Sequence, residues 1–138
     1  MKRTLTILMV LTMFLSACAP EEEDRSLVGR WDLTAYGAEG STSPALTENE
    51  PGLTFNEDGT LNGSSGCNGF SGEYTLEGNQ IEFGPVISTL MLCDSPLMGQ
   101  EEAFFQVLMD TVTYEIEGDT LTITYNNLVL VLTAAAGQ

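Results

Sequence analysis

The stretch Thr111-Val112-Thr113-Tyr114-Glu115-Ile116-Glu117-Gly118-Asp119-Thr120-Leu121-Thr122-Ile123-Thr124-Tyr125 decides the fold class. Two runs rich in β-branched and aromatic residues flank Glu117-Gly118-Asp119, which is the signature of a β-hairpin. The pattern recurs upstream. Glu73-Tyr74-Thr75-Leu76 and Gln80-Ile81-Glu82-Phe83 flank Glu77-Gly78-Asn79, and Leu53-Thr54-Phe55 and Thr60-Leu61-Asn62 flank Asn56-Glu57-Asp58-Gly59. A last strand over 128–133 follows Asn126-Asn127. At the other end, residues 27–36 alternate: Gly29, Trp31, Leu33 and Ala35 on one side, Arg30, Asp32 and Thr34 on the other. That is the period of a half-buried strand. Residues 37–52 have no periodicity and read as a long exposed loop.

One segment departs from this pattern. Ser95 can cap a helix with Pro96 at its first position. Leu97, Phe104, Val107 and Leu108 then recur at helical spacing, with Gln100, Glu101 and Glu102 expected to face water. The expectation is an α+β domain: a small antiparallel meander curled into a barrel or half-barrel, with one helix over about 96–109. Trp31 is expected in its core with Leu33, Phe55, Tyr74, Phe83, Phe104 and Leu108.

The N-terminal segment reads as an address rather than as fold. Met1-Lys2-Arg3 is a positive start, and residues 4–15 are apolar but too few to span a bilayer comfortably. They end in Leu15-Ser16-Ala17-Cys18, the box of a bacterial lipoprotein signal. Removing residues 1–17 leaves 121 of 138, enough for a single domain with a modest core. The thiol of Cys18 would carry diacylglycerol, and the freed amine a further acyl chain such as palmitate; two or three chains anchor stably where one does not. Residues 18–26 comprise the lipidated Cys18 and an acidic tether, of which Pro20-Glu21-Glu22-Glu23-Asp24-Arg25-Ser26 can hold a folded domain over 27–134 about 20–25 Å from the lipid at roughly 3.3 Å per residue. Ala19, where Asp would favour inner-membrane retention, leans toward the outer membrane.

Charge and cysteine count narrow the chemistry. The mature chain keeps two bases, Arg25 and Arg30, against 20 acids, a balance of −18, and has no lysine or histidine. Such a field repels nucleic acid and anionic lipid. Without histidine there is no Ser-His-Asp, Cys-His or histidine-zinc site. The acidic turns lack the ligand spacing of an EF-hand, so no metal or other cofactor is expected. With Cys18 acylated, Cys67 and Cys93 remain as an even pair in an oxidising compartment, which points to a disulfide. The alternative is two free thiols, one of them nucleophilic, with little nearby to hold a thiolate. The glycine-rich Gly63-Ser64-Ser65-Gly66-Cys67-Asn68-Gly69-Phe70-Ser71-Gly72 lacks the Gly-Lys-Ser/Thr ending of a phosphate loop and reads as a structural bend.

Taken together, these residues resemble the META-domain, HslJ-like bacterial lipoprotein family. The resemblance runs from Gly29-Arg30-Trp31-Asp32-Leu33 through Leu53-Thr54-Phe55 and Asp58-Gly59 to Gly63-Ser64-Ser65-Gly66-Cys67-Asn68. It continues through Phe70-Ser71-Gly72-Glu73-Tyr74, Ser88-Thr89-Leu90-Met91-Leu92-Cys93, and Glu101 or Glu102 with Phe104 and Leu108. Tyr114-Glu115-Ile116-Glu117-Gly118-Asp119-Thr120-Leu121 ends it. Many members place a glycine-bearing turn before the last strand, where this chain has Asn126-Asn127. The resemblance implies a small β-rich domain with one helix, no established catalysis, and links to heat or envelope stress and novobiocin resistance, with some members linked to virulence or motility. Two readings follow. One is a non-catalytic envelope lipoprotein, expected as a monomer on the outer membrane, supporting stress tolerance or integrity through a protein partner. The other is a small-ligand binder with a barrel mouth lined by Trp31, Tyr36, Phe55, Tyr74 or Phe83.

The anchor assignment is checked directly. Labelled palmitate should enter the wild-type protein and not Cys18→Ser, and equal labelling of both excludes Cys18 as the attachment site.

Overall fold

The computed structural model describes residues 26–137; the signal segment 1–17, Cys18 and the tether as far as Arg25 lie outside the described residues. In chain order the elements are β1 (Gly29–Ala38), β2 (Ser41–Pro44), β3 (Gly52–Phe55), β4 (Thr60–Ser64), β5 (Gly69–Glu77), β6 (Gln80–Phe83), β7 (Ile87–Ser88), α1 (Ser95–Val107), β8 (Thr111–Glu117), β9 (Thr120–Tyr125) and β10 (Leu128–Ala134).

Eight of the strands follow one another around a ring, β1-β3-β4-β5-β6-β8-β9-β10, and β10 pairs back to β1, so the meander closes into an antiparallel barrel rather than a half-barrel. Each expected hairpin is present: β3 with β4, β5 with β6 and β8 with β9. Gly118 turns at φ 57° with nothing near the position a Cβ would take, so backbone conformation, not space, calls for glycine there. Before the last strand Asn126 adopts φ 52°, a left-handed turn that asparagine tolerates better than most residues.

The segment 37–52 is not a plain loop. Residues 41–44 add β2 beside the second half of β1. No apolar alternation announces β2, because all four of its residues are exposed. A bulge in β1 between Leu33 and Ala35 accompanies the change of neighbour from β3 to β2. The extra residue, Thr34, keeps its polar groups satisfied. Its hydroxyl donates to the carbonyl of Val131 at 3.0 Å, and its carbonyl accepts from Ala45 N at 2.9 Å.

The helix spans Ser95–Val107, slightly short of the expected end. Asp94, not Ser95, occupies the N-cap position, and it makes no side-chain cap hydrogen bond. Proline in the first turn supplies the helical start instead. The helix packs against β1, β9 and β10. Its Phe104, and Leu108 just past its end, are wholly buried in the barrel core.

Trp31, Phe55, Leu53, Leu61, Ile81, Leu121, Ile123, Leu130 and Leu132 fill that core and are solvent-free or nearly so. The Trp31 indole N–H donates to the carbonyl of Leu27 at 2.8 Å, so the largest side chain enters the core with its one polar group satisfied. Phe55 meets Tyr74 edge-on with ring centroids 4.9 Å apart.

Trp31→Ala empties the largest volume in the core and is expected to cost about 3–5 kcal/mol of stability. Denaturant unfolding measures the loss, and the native wild type should show the blue-shifted fluorescence of a buried indole.

Candidate functional site

The glycine-rich bend, the crossover after β7 and the first turns of α1 converge on one side chain, Asn68. Ser65-Gly66-Cys67-Asn68 joins β4 to β5. Gly66 has φ +97°, and a Cβ on it would lie 2.9 Å from Gln100 Nε2 and 3.0 Å from Leu97 Cδ1. The bend therefore presses its backbone against α1 at a point where only glycine fits.

The Asn68 side chain uses both ends of its amide. Its Oδ1 accepts from Met91 N at 2.7 Å and from Thr89 Oγ1 at 2.7 Å. Its Nδ2 donates to Met91 O at 3.1 Å and to both carboxyl oxygens of Glu101 at 2.9 and 3.0 Å. Glu101 Oε2 also accepts from Ser65 Oγ at 2.6 Å and from Asn68 N at 3.0 Å. Gln100, the residue before Glu101, accepts from Leu46 N at 2.7 Å and donates to Leu46 O at 3.1 Å and Ser65 O at 2.7 Å. Asn49 Nδ2 donates to Gly66 O at 2.7 Å. Ser65, Asn68, Gln100 and Glu101 are all buried. Among the described residues no buried side-chain nitrogen or oxygen lacks a partner.

This reverses one expectation. Gln100 and Glu101 do not face water; both point into the protein, while Glu102 is exposed. Leu97, Glu101, Phe104 and Leu108 stand at spacings of four, three and four, so Glu101 falls on the apolar stripe of the helix. That spacing is the signal by which its burial could have been read, and composition obscures it.

Cys67 and Cys93, 26 positions apart in sequence, are joined by a disulfide with Cα atoms 6.0 Å apart, closing a loop around β5, β6 and β7. It lies beside the Asn68 cluster: Asn68 Nδ2 is 3.4 Å and Met91 O 3.5 Å from Cys67 Sγ. Bond and cluster together clasp the bend, the crossover and the start of α1 into one unit. Every buried side-chain nitrogen and oxygen of the arrangement has a partner, and both thiols are consumed in the disulfide. Among the described residues no three His, Cys, Asp or Glu side chains converge in a metal-binding group.

The aromatic residues expected at a barrel mouth do not form one. Trp31 and Phe55 are wholly buried, Tyr74 and Phe83 nearly so, and Tyr36 packs half-buried against the core. Two exposed acids are held by hydrogen bonds outside the cluster. Thr60 donates to Asp58 through hydroxyl and backbone, and Thr111 N and the Tyr125 hydroxyl donate to Asp110; these bonds hold both carboxyls below their ordinary range. Their contribution is thus present above the usual carboxylate range and is lost as pH falls through the lowered values. Burial, followed by the Asp58 charge, raises the Tyr74 phenol.

The family model described as the META domain matches residues 25–137. An NMR structure of a protein from Burkholderia xenovorans is similar at 22% identity with a TM-score of 0.65, covering 78% of this chain and 82% of that one. A second NMR structure is similar at 23% identity and a TM-score of 0.63, over 77% and 88% of the two chains. The crystal structure of an uncharacterized protein from Bacteroides eggerthii DSM 20697 gives 20% identity and a TM-score of 0.50, over 80% and 100%. These likenesses establish the shared fold. No curated protein matches the chain.

Asn68→Ala leaves Glu101 and the Met91 backbone short of partners inside the protein and is expected to cost about 2–3 kcal/mol. Glu101→Ala combined with it should add less than its own single loss, since both remove one network. Reduction of the disulfide should lower stability by roughly 2–4 kcal/mol. Chemical unfolding of the variants, with and without reductant, measures all three.

Proposed function

The chain belongs to the META-domain family, and on that premise we propose that it is a non-catalytic lipoprotein of the cell envelope, anchored through Cys18, that supports envelope integrity under stress through a protein partner. The observation that carries this reading is the use made of the family-like motif. Asn68, Cys67, Cys93 and Glu101, the polar and sulfur-bearing groups a catalytic site would draw on, are bonded to one another or to backbone. The barrel interior is occupied by side chains, so a small ligand has no apolar chamber at Trp31 or Phe55. What the domain offers other molecules is its outer surface, where Arg30 and the acids of residues 26–137 other than the buried Glu101 lie, 15 in number. A partner meeting that surface would be neutral or basic. The lipobox and the acidic tether in the sequence support a place at a membrane, facing outward from the cytoplasm.

A strain lacking the protein should lose viability under heat and under antibiotics that an intact envelope excludes. Wild-type protein should restore it, and Cys18→Ser should not. Full rescue by the unanchored form removes the envelope-anchored role, and unaltered survival of the deletion strain under both stresses removes the stress role.

A further inference from the structure

We propose that Leu90-Met91-Leu92 is a second membrane contact, a rigid apolar tip that enters the interface of the zwitterionic bilayer to which Cys18 is attached. The proposal rests on the lipoprotein reading above.

The tip is conspicuous by exposure. Leu90 is 94% exposed, Met91 56% and Leu92 93%, three consecutive apolar residues presented to solvent by a strongly acidic domain. Slack in the chain does not account for this. On one side, Thr89 N donates to Gly69 O at 3.0 Å where β7 leaves the sheet. In the middle, the Asn68 amide holds both the N–H and the C=O of Met91. On the other side, Cys93 is bonded to Cys67. The clasp thus fixes the loop at three successive points and holds the leucines away from the core.

Its shape and polarity favour lipid over a protein surface. Successive side chains diverge around a backbone, so three exposed neighbours do not share a single face that a flat partner could cover. A fluid interface surrounds a protruding tip on every side. Backbone polar groups are the main obstacle to entering an apolar layer, and those of Met91 are satisfied within the protein by Asn68. The acidic field selects against anionic headgroups, which leaves neutral zwitterionic lipid as the favoured surface.

The anchor can reach. Gly29, at the start of β1, pairs with Phe55, and Asp32 pairs with Gly52, which pairs in turn with Ser64 at the edge of the bend. The chain entry and the bend that holds the tip are therefore about 10 Å apart along the strand direction, at roughly 3.4 Å per residue, and two strands, about 10 Å, apart across it. The tether of 20–26, about 23 Å when extended at roughly 3.3 Å per residue, exceeds the resulting span of about 14 Å, so the anchor and the bend can lie over the same leaflet. Tethering raises the effective concentration of the tip at the bilayer, so a few side chains suffice for contact.

Acylated full-length protein, purified from membranes and reconstituted in phosphatidylcholine vesicles containing brominated acyl chains, tests this. Leu92→Trp and Leu90→Trp each add one indole to the buried Trp31. The added indole should be quenched roughly twofold or more at a depth of about 5–10 Å. Asn79→Trp, in the exposed β5–β6 turn at the opposite end of the barrel from the bend, should remain unquenched. Vesicle flotation separates the two levels of failure. Protein that floats with the vesicles but shows no quenching at either tip position overturns the insertion and leaves the anchor standing, freeing the loop for a protein partner. Quenching at Asn79→Trp equal to that at the tip also overturns it. Protein that fails to float overturns the anchor and the insertion with it.

Discussion

The pairing of β1 with β10 is the constraint on which the rest of the structure depends. It joins the first strand to the last over seven register pairs from Trp31↔Ala134 to Ala38↔Leu128. Without it both strands would present open edges, and the sheet would lie flat over side chains sized for a closed interior. With it, Trp31, Leu33, Leu130 and Leu132 turn inward to the same core, and α1 can pack against β1, β9 and β10 together. The Thr34 bulge belongs to the same constraint. It lets β1 serve β3 early and β2 later while staying paired to β10.

A closed barrel of this size leaves the helix to be fastened from outside, and the Asn68 clasp does so with polar groups. Burying a carboxylate among apolar residues is costly unless its oxygens are satisfied. Glu101 meets that condition with donors from Ser65 and Asn68. Gln100 treats Leu46 as a neighbouring strand would, donating to its carbonyl and accepting from its N–H. The same network thus ties down 46–49, the bend and the crossover. Its consequence for function is indirect: a satisfied network offers no chemistry of its own, yet it presents Leu90, Met91 and Leu92 in one fixed place.

The hairpins, the buried Trp31 and the α+β class were legible in the sequence, because each depends on residues a few positions apart: a turn glycine between β-forming runs, an alternating first strand, a proline at a helix start. The pairing of Cys67 with Cys93 was legible from parity. The family resemblance was carried by Gly66-Cys67-Asn68 and the Met91-Leu92-Cys93 segment, although their purpose was not.

What tertiary structure alone decided is the fate of groups whose partners lie far along the chain. Gln100 and Glu101 look like solvent-facing helix residues because glutamine and glutamate usually are, and only the return of Ser65 and Asn68, more than thirty residues upstream, supplies the donors and acceptors that make burial tolerable. The exposed Ser41-Thr42-Ser43-Pro44 becomes a strand because β1 leaves that flank unpaired once β3 ends, a reason that no local propensity contains. Closure itself is of this kind. Each strand is written in its own residues, but that the last meets the first follows from the sum of their twist and stagger around a core that must be filled.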